Sequence, residues 1–238
     1  MNKDRQNRLS GLEKRLNYTF RHLDWLSTAL THRSYANEYT HLAPEDNERM
    51  EFMGDAVVGL CISDLLIRKY TDIDEGTLTK IRSLLVNEKP LADLAVKLQL
   101  GDCLLLGRGE DHSGGRTKES LLANALEAVI AALYLDAGFS KTKTIIKNLM
   151  KPLLDDEALK AQCFDYKTAL QEVCQKKFKT APVYRLLDAS GPDHAKTFEV
   201  EVAITDRVCQ VGRGKSKKEA QKQAAQKAWG QIHGHDEH

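Results

Sequence analysis

The sequence predicts two modules of different class: an all-α domain over residues 1–154 and a small α+β domain, ordered α-β-β-β-α, over residues 164–233. Three observations predict it. Apolar residues recur at three and four from Leu9 to Leu154, the spacing of helices that bury one face. After Cys163 the period drops to two, the mark of half-buried strands. Charge divides at the same place: residues 164–233 hold 13 Lys and Arg against 8 Asp and Glu, while residues 1–163 hold 22 against 24. The short polar stretch "DDEALKAQC", residues 155–163, is the expected linker, and residues 234–238 the expected tail.

In the first module "DAVVGLCISDLLIRKY", "LTKIRSLLVNEKPLADLAVKLQL" and "KESLLANALEAVIAALYLDAG" read as helices. Gly101, Gly107, Gly109, Gly114, Gly115 and Gly138 punctuate these runs, with Gly138 placed for a helix C-terminus. In the second, "DYKTALQEVCQKKF" is helical. "APVYRLLDAS" and "KTFEVEVAI" then alternate, the latter with Phe198, Val200, Val202 and Ile204 on one face. Thr205 and Asp206 turn the chain into "RVCQVGRG", a third strand. "KSKKEAQKQAAQKAWGQI" is a helix whose alanines form a narrow face suited to lying close on a sheet. The result is a small antiparallel sheet with two helices on one side.

Composition narrows the function classes. Hydrophobic residues are 42% of the 238, enough for packed cores. No apolar run reads as a membrane span and residues 1–12 are polar, so a soluble cytoplasmic protein with no membrane partner is expected. Five scattered cysteines without a C-x-x-C pair point to reduced thiols and away from structural zinc. The terminal "HGHDEH" reads as a frayed tail. A basic module joined to an acidic one suggests a polyanion binder coupled to a cation-using site.

The acidic site begins in "NERMEFMGDAVVGL". Spacings of 0, 3 and 7 put Glu48, Glu51 and Asp55 within roughly a 60° arc of one helix face, with Met50, Met53, Val57 and Leu60 opposite. On an ordinary helix such a stripe is a solvated face. Here no Lys or Arg lies on the stripe, and like charges raise one another's pKa unless something neutralises them. An unpaired acidic cluster beside Phe52 suggests a cation site.

A second helix carries matching groups. In "LLANALEAVIAALYLDAG", Leu122, Leu126, Val129, Ile130 and Leu133 define a buried face, and Asn124 and Glu127 lie away from it with Ala128 and Ala131. Those alanines allow another helix to approach closely. If the two carboxylate-bearing faces meet, Glu51, Asp55, Asn124 and Glu127 form an all-oxygen set, which suits Mg²⁺ or Mn²⁺ rather than zinc.

"NERMEFMGDAVVGL" resembles the hallmark helix of the bacterial ribonuclease III family, and "DEGTLTKIRSLLV" and "LLANALEAVIAALYLD" resemble its other hallmark segments. "GPDHAKTFEVEV" with "GRGKSKKEAQKQAAQKA" resembles a double-stranded-RNA-binding domain. The resemblance runs from about Leu9 to Ile232. It implies a helical endonuclease domain working as a homodimer, and Mg²⁺-dependent cleavage of double-stranded RNA, such as rRNA precursors and other structured transcripts. The products would carry 5′-phosphates and short 3′ overhangs, with no small-molecule substrate.

By position, Glu51 and Asp55 match the family's first pair of site carboxylates, and Glu127 matches its last acidic ligand. Glu48 and Glu75 match auxiliary acidic positions near the RNA, and Phe52 matches the aromatic that plugs into the partner subunit. One position departs: much of the family carries Asp where this chain has Asn124, whose amide carbonyl can ligate but brings no charge. Glu51, Asn124 and Glu127 are then the expected metal ligands, with Asp55 orienting the attacking water. His32, His41 and His112 are expected to be surface or packing residues.

In the second module, Lys215, Lys217, Lys218 and Lys222 open the last helix and suit phosphates across the major groove. His194 on the "GPDH" loop suits the minor groove, and Gln171 and Glu172 on the first helix suit 2′-hydroxyls. The rival expectation is an RNA-binding protein whose nuclease site has decayed at Asn124. Keeping Glu48, Glu51, Asp55, Glu75 and Glu127 argues against it.

Overall fold

The computed structural model of the chain describes residues 3–42, 45–71, 73–155, 165–192, 196–205 and 208–234. The chain divides into two compact units, Met1–Cys163 and Phe164–His238.

The first unit is built on α4 (Glu48–Lys69) packed along α9 (Glu119–Ala137). Around this pair stand α1 (Lys3–Leu16), α2 (Leu23–Ala29), α3 (Arg33–Glu38), α5 (Glu75–Leu85), α6 (Glu88–Lys97) and α10 (Phe139–Leu154), with short helices α7 (Leu100–Cys103) and α8 (Arg108–His112). α9 is buried almost all round, through Leu122, Ala125, Leu126, Val129, Ala132 and Leu133. By length and composition it could span a bilayer, so the expectation that no run approaches a span fails there. Its apolar surface is instead the core of the unit.

Caps explain where the helices start and stop. Asp74 caps α5, accepting from Thr77 N at 2.9 Å and Thr77 Oγ1 at 2.7 Å. The long run from Leu78 to Leu100, read as one helical segment, breaks at Val86. There Asn87 leaves helical geometry (ψ 160°) and accepts from Glu88 N, starting α6. α9 ends at Gly138, whose φ of 77° only glycine adopts without strain. Gly101 and Gly109 lie inside short helices rather than between them. The C-terminus of α9 is pinned by Asp136, which accepts from Tyr18 Oη at 2.6 Å and from the backbone N–H of Arg21 and His22. Burial works to raise that carboxyl, but these hydrogen bonds outweigh it and hold it below the usual range.

The second unit runs α11 (Tyr166–Phe178), β1 (Val183–Ser190), β2 (Thr197–Ile204), β3 (Val208–Gly214) and α12 (Lys217–Gly234). The sheet is antiparallel in the order β1-β2-β3. Val200, Val202 and Ile204 are buried from β2, with Phe198 half-buried. α12 lies close on the sheet through Ala220, Ala224, Ala225 and Ala228. Gly212 of β3 makes this possible: a Cβ there would stand 2.2 Å from Ala220 O. β1 departs from the alternation read in it. Its register shifts between Leu186 and Asp188, and Leu186 and Leu187 are both exposed at the sheet edge. The turn at Asp206, the loop holding His194 and most of the expected linker and tail lie outside the described residues.

Candidate active site

The site is where α4 crosses α9, and a glycine fixes how closely. A Cβ on Gly54 would stand 1.9 Å from the Glu127 carbonyl oxygen and 2.4 Å from the carbonyl carbon. Only a residue without a side chain lets the two backbones meet there. Ala128 and Ala131, read as the small residues permitting the approach, are fully buried. Gly54 is the residue that reasoning missed, although a glycine in a helix interior is a standing signal of close approach.

The crossing brings the carboxylates within electrostatic reach of Glu127. Glu51 and Asp55 sit three residues before and one after Gly54, and both act electrostatically on Glu127. Burial first, then Asp55 and Glu51, push the Glu127 carboxyl up to about 7. Burial and then Glu48 raise Glu51 as well, while a hydrogen bond from the Asn124 amide works the other way. Among the described residues, no three His, Cys, Asp or Glu side chains stand close enough to hold an ion as placed. Asp55 and Glu51 therefore act on Glu127 across a wider gap than a ready-made cage, with Asn124 hydrogen-bonded to Glu51.

The start of α4 is anchored from beneath. Asn47 is buried; its N–H donates to Thr31 O at 2.9 Å and its Nδ2 to Ala29 O at 3.3 Å. Glu48 and Asp55 are exposed and Glu51 half-buried. The acidic stripe has a cation that helical spacing within α4 did not show. Arg33 of α3 reaches Glu48, Nη1 to Oε1, at 3.0 Å. Nothing in the sequence marks a pair fifteen residues apart on different helices. Glu75 opens α5, its carboxylate accepting from Thr79 Oγ1 at 2.9 Å within that helix. His32 is half-buried at the start of α3, its Nδ1 accepting from Ser34 N, and His41 and His112 are exposed.

The face of α4 opposite the carboxylates is not uniformly core. Met50 and Val57 are buried, but Leu60 is 58% exposed. At 100° per residue, Phe52, Ala56, Leu60 and Ile67 form a stripe between the acidic and buried faces. Phe52 is 82% exposed and Ile67 65%. In the second unit Gln171, Glu172, Lys215, Lys217 and Lys218 are exposed and Lys222 is half-buried. The turn into α12 is set by Ser216 and Glu219: Ser216 Oγ accepts from Glu219 N at 3.2 Å, and Glu219 Oε2 accepts from Lys215 N at 2.8 Å.

Comparison with known proteins bears on both units. Residues 24–153 match a family described as ribonuclease-III-like, and residues 166–232 match the double-stranded RNA binding motif. Ribonuclease 3 of Syntrophobacter fumaroxidans is 48% identical over 224 residues, covering 92% of this chain and 93% of that protein. Ribonuclease 3 of Geobacter sulfurreducens is 45% identical, covering 90% and 87%. The crystal structure of the ribonuclease III nuclease domain from Campylobacter jejuni is 41% identical with a TM-score of 0.57, covering 62% of this chain and 97% of that one. With a nuclease unit and an RNA-binding unit in that order, matched over nearly its whole length, the chain belongs to the ribonuclease III family of endoribonucleases acting on double-stranded RNA.

Proposed function

We propose that the chain cuts both strands of double-stranded RNA in a Mg²⁺-dependent reaction, with Mn²⁺ as a substitute, leaving 5′-phosphates and short 3′ overhangs. Its substrates are precursors of rRNA and other structured transcripts in the cytoplasm. The observation that carries this is the Glu127 carboxyl, held near 7 by burial and by Asp55 and Glu51 at the Gly54 crossing. Two acids acting electrostatically on a third, half-buried one favour a divalent cation that would draw them in. The donor set fits Mg²⁺, which needs only one or two carboxylates and completes its octahedron with water.

Glu51, Asn124 and Glu127 are the residues that would hold the ion. Bound there, Mg²⁺ supplies Lewis acidity for phosphodiester hydrolysis and lowers the pKa of the attacking water. Asp55, exposed beside them, would orient the attacking water by accepting a hydrogen bond from it. Glu127 must lose its proton to act as a ligand. Glu48, which lines the neighbouring pocket, and Glu75 at the start of α5 would serve as auxiliary acids. In the RNA-binding unit Lys215, Lys217, Lys218 and Lys222 take phosphates, and Gln171, Glu172 and His194 take the minor groove.

Two sites are needed for a staggered double cut, and a homodimer supplies them by symmetry. The exposed Phe52, Leu60 and Ile67 stripe supports this. A related structure, the Campylobacter jejuni nuclease domain, is described as having a region involved in dimer formation.

A binding-only role is the second reading, favoured by the uncharged Asn124. Incubating the protein and Glu127→Ala with a long RNA duplex and Mg²⁺, then mapping both ends of the products, separates them. Staggered cuts by the wild type, absent in the variant while duplex binding persists, support the nuclease; equal cutting by both rejects the site.

A further inference from the structure

The acidic face obstructs its own substrate: Glu48, Glu51, Asp55 and Glu127 lie where a phosphodiester must bring further negative charge. Arg33 changes that balance. Its guanidinium is 3.0 Å from Glu48, and the two side chains are 62% and 53% exposed. An ion pair so open to water contributes little, so Arg33 can leave Glu48 for a better acceptor at little cost. A phosphate is such an acceptor, taking two parallel hydrogen bonds from one guanidinium.

The space beside Arg33 has a matching shape. A pocket of about 300 Å³ is lined by Arg33, Ser34 and Asn37 together with Glu48, Glu51 and Asn124. Its lining thus combines a cation and an amide, Arg33 and Asn37, with Glu51 and Asn124, two of the three residues that would hold the metal ion. The near wall is fixed in place. Ser34 Oγ lies 2.8 Å from His32 Nδ1 and accepts from Gly107 N at 2.9 Å. Glu38 accepts from Arg108 N at 2.6 Å. Gly107 packs so tightly on α3 that a Cβ would meet Ser34 O at 2.6 Å.

We propose that this pocket seats the sugar–phosphate unit adjoining the bond to be cut, and that Arg33 exchanges Glu48 for its phosphate. The inference rests on the nuclease reading of the same site. Arg33 is then a substrate-binding residue rather than a neutraliser of Glu48.

The test is equilibrium binding of a defined RNA duplex over a series of salt concentrations, in a Glu127→Gln background that prevents cutting. Arg33→Ala should weaken binding and lower the salt slope by about 0.9 for each phosphate that is no longer neutralised, and Arg33→Lys should keep the slope. The weakening should persist when Glu48→Gln is added. In steady-state cleavage with Glu127 intact, Arg33→Ala should raise KM more than it lowers kcat. An unchanged slope, or a weakening that vanishes with Glu48→Gln, overturns the proposal. The two readings fail differently: a wild type that cuts while Arg33→Ala leaves the slope unchanged sinks only the role of Arg33. A wild type that cuts nothing, with the slope still dependent on Arg33, sinks the nuclease and keeps the phosphate seat.

Discussion

Replacing Gly54 with alanine tests whether the α4–α9 crossing is the site. The added methyl would lie 1.9 Å from Glu127 O, and contacts under 3.0 Å essentially do not occur, so a movement of about 1.1 Å is demanded. The obstacle is backbone on both sides, so no side-chain rotation relieves it. Overpacking of this kind costs roughly 1–3 kcal/mol, against which the gain in helix propensity is at most about 1 kcal/mol. The movement also separates Glu51 and Asp55 from Asn124 and Glu127. A displacement near 1 Å at a reacting centre lowers the rate by on the order of 10²-fold. Gly230→Ala is the control, because its Cβ meets nothing within 4 Å; there the same change should be neutral or stabilising by up to about 1 kcal/mol. Thermal unfolding, initial cleavage rate and duplex affinity should be measured on all three proteins. Gly54→Ala should lose stability and rate while duplex affinity falls little. If it unfolds and cuts like the wild type, the close crossing does not set the site.

Three further outcomes follow from the same geometry. Glu127 titrates at about 7 in the folded protein, above the ordinary 4.5. Its contribution to stability is therefore full below about pH 4.5 and lost as pH rises through about 7, so metal-free protein should weaken from about pH 4.5 to 7 and level off above. Glu127→Gln should flatten that slope in thermal melts. For Phe52→Ala, sedimentation at micromolar concentration should show weakened association relative to a dimeric wild type; a monomeric wild type would reject the dimer. Asn124→Asp should lower the Mg²⁺ needed for half-maximal cleavage about tenfold at pH 8, the effect of roughly 1.4 kcal/mol in ion affinity. In exchange it replaces a donor to Glu51 with a like charge, so a requirement that rises would show that repulsion dominates.

The sequence made much of this legible because periodicity reports burial. The three-and-four spacing gave the helices of the first unit, and Val200, Val202 and Ile204 gave the buried side of β2. It failed where a local pattern does not determine the tertiary surroundings. Leu60 is apolar and on the expected side of α4, yet exposed, because the packed sector of that helix runs through Gly54, Val58, Cys61 and Ile62. β1 alternates in composition, but the irregularity at Leu187 breaks the register that alternation assumes. The acid set of Glu51, Asp55 and Glu127 could be guessed from helix faces. The glycine that sets their spacing, and the Arg33 that meets Glu48 from another helix, belong to the packing.

A nuclease for a polyanion has two electrostatic needs that oppose each other. Concentrated carboxylates are needed to hold a divalent cation, and positive charge is needed to hold RNA. This chain separates them at two scales. Across the sequence, a net −2 over residues 1–163 is joined to a net +5 over residues 164–233. Within the site, Arg33 against Glu48 trims the negative charge on the side where the pocket opens. Asn124 trims it again, supplying an amide that already hydrogen-bonds Glu51. Removing one charge in this way weakens the hold on a cation and also lowers the repulsion that RNA meets before a cation binds. On the proposed cation-dependent reading, an amide at position 124 where the family resemblance implies an acid shifts the balance between those needs rather than losing a ligand. On that argument Asn124→Asp should tighten Mg²⁺ while making metal-free binding of RNA weaker, two changes of opposite sign from one added charge.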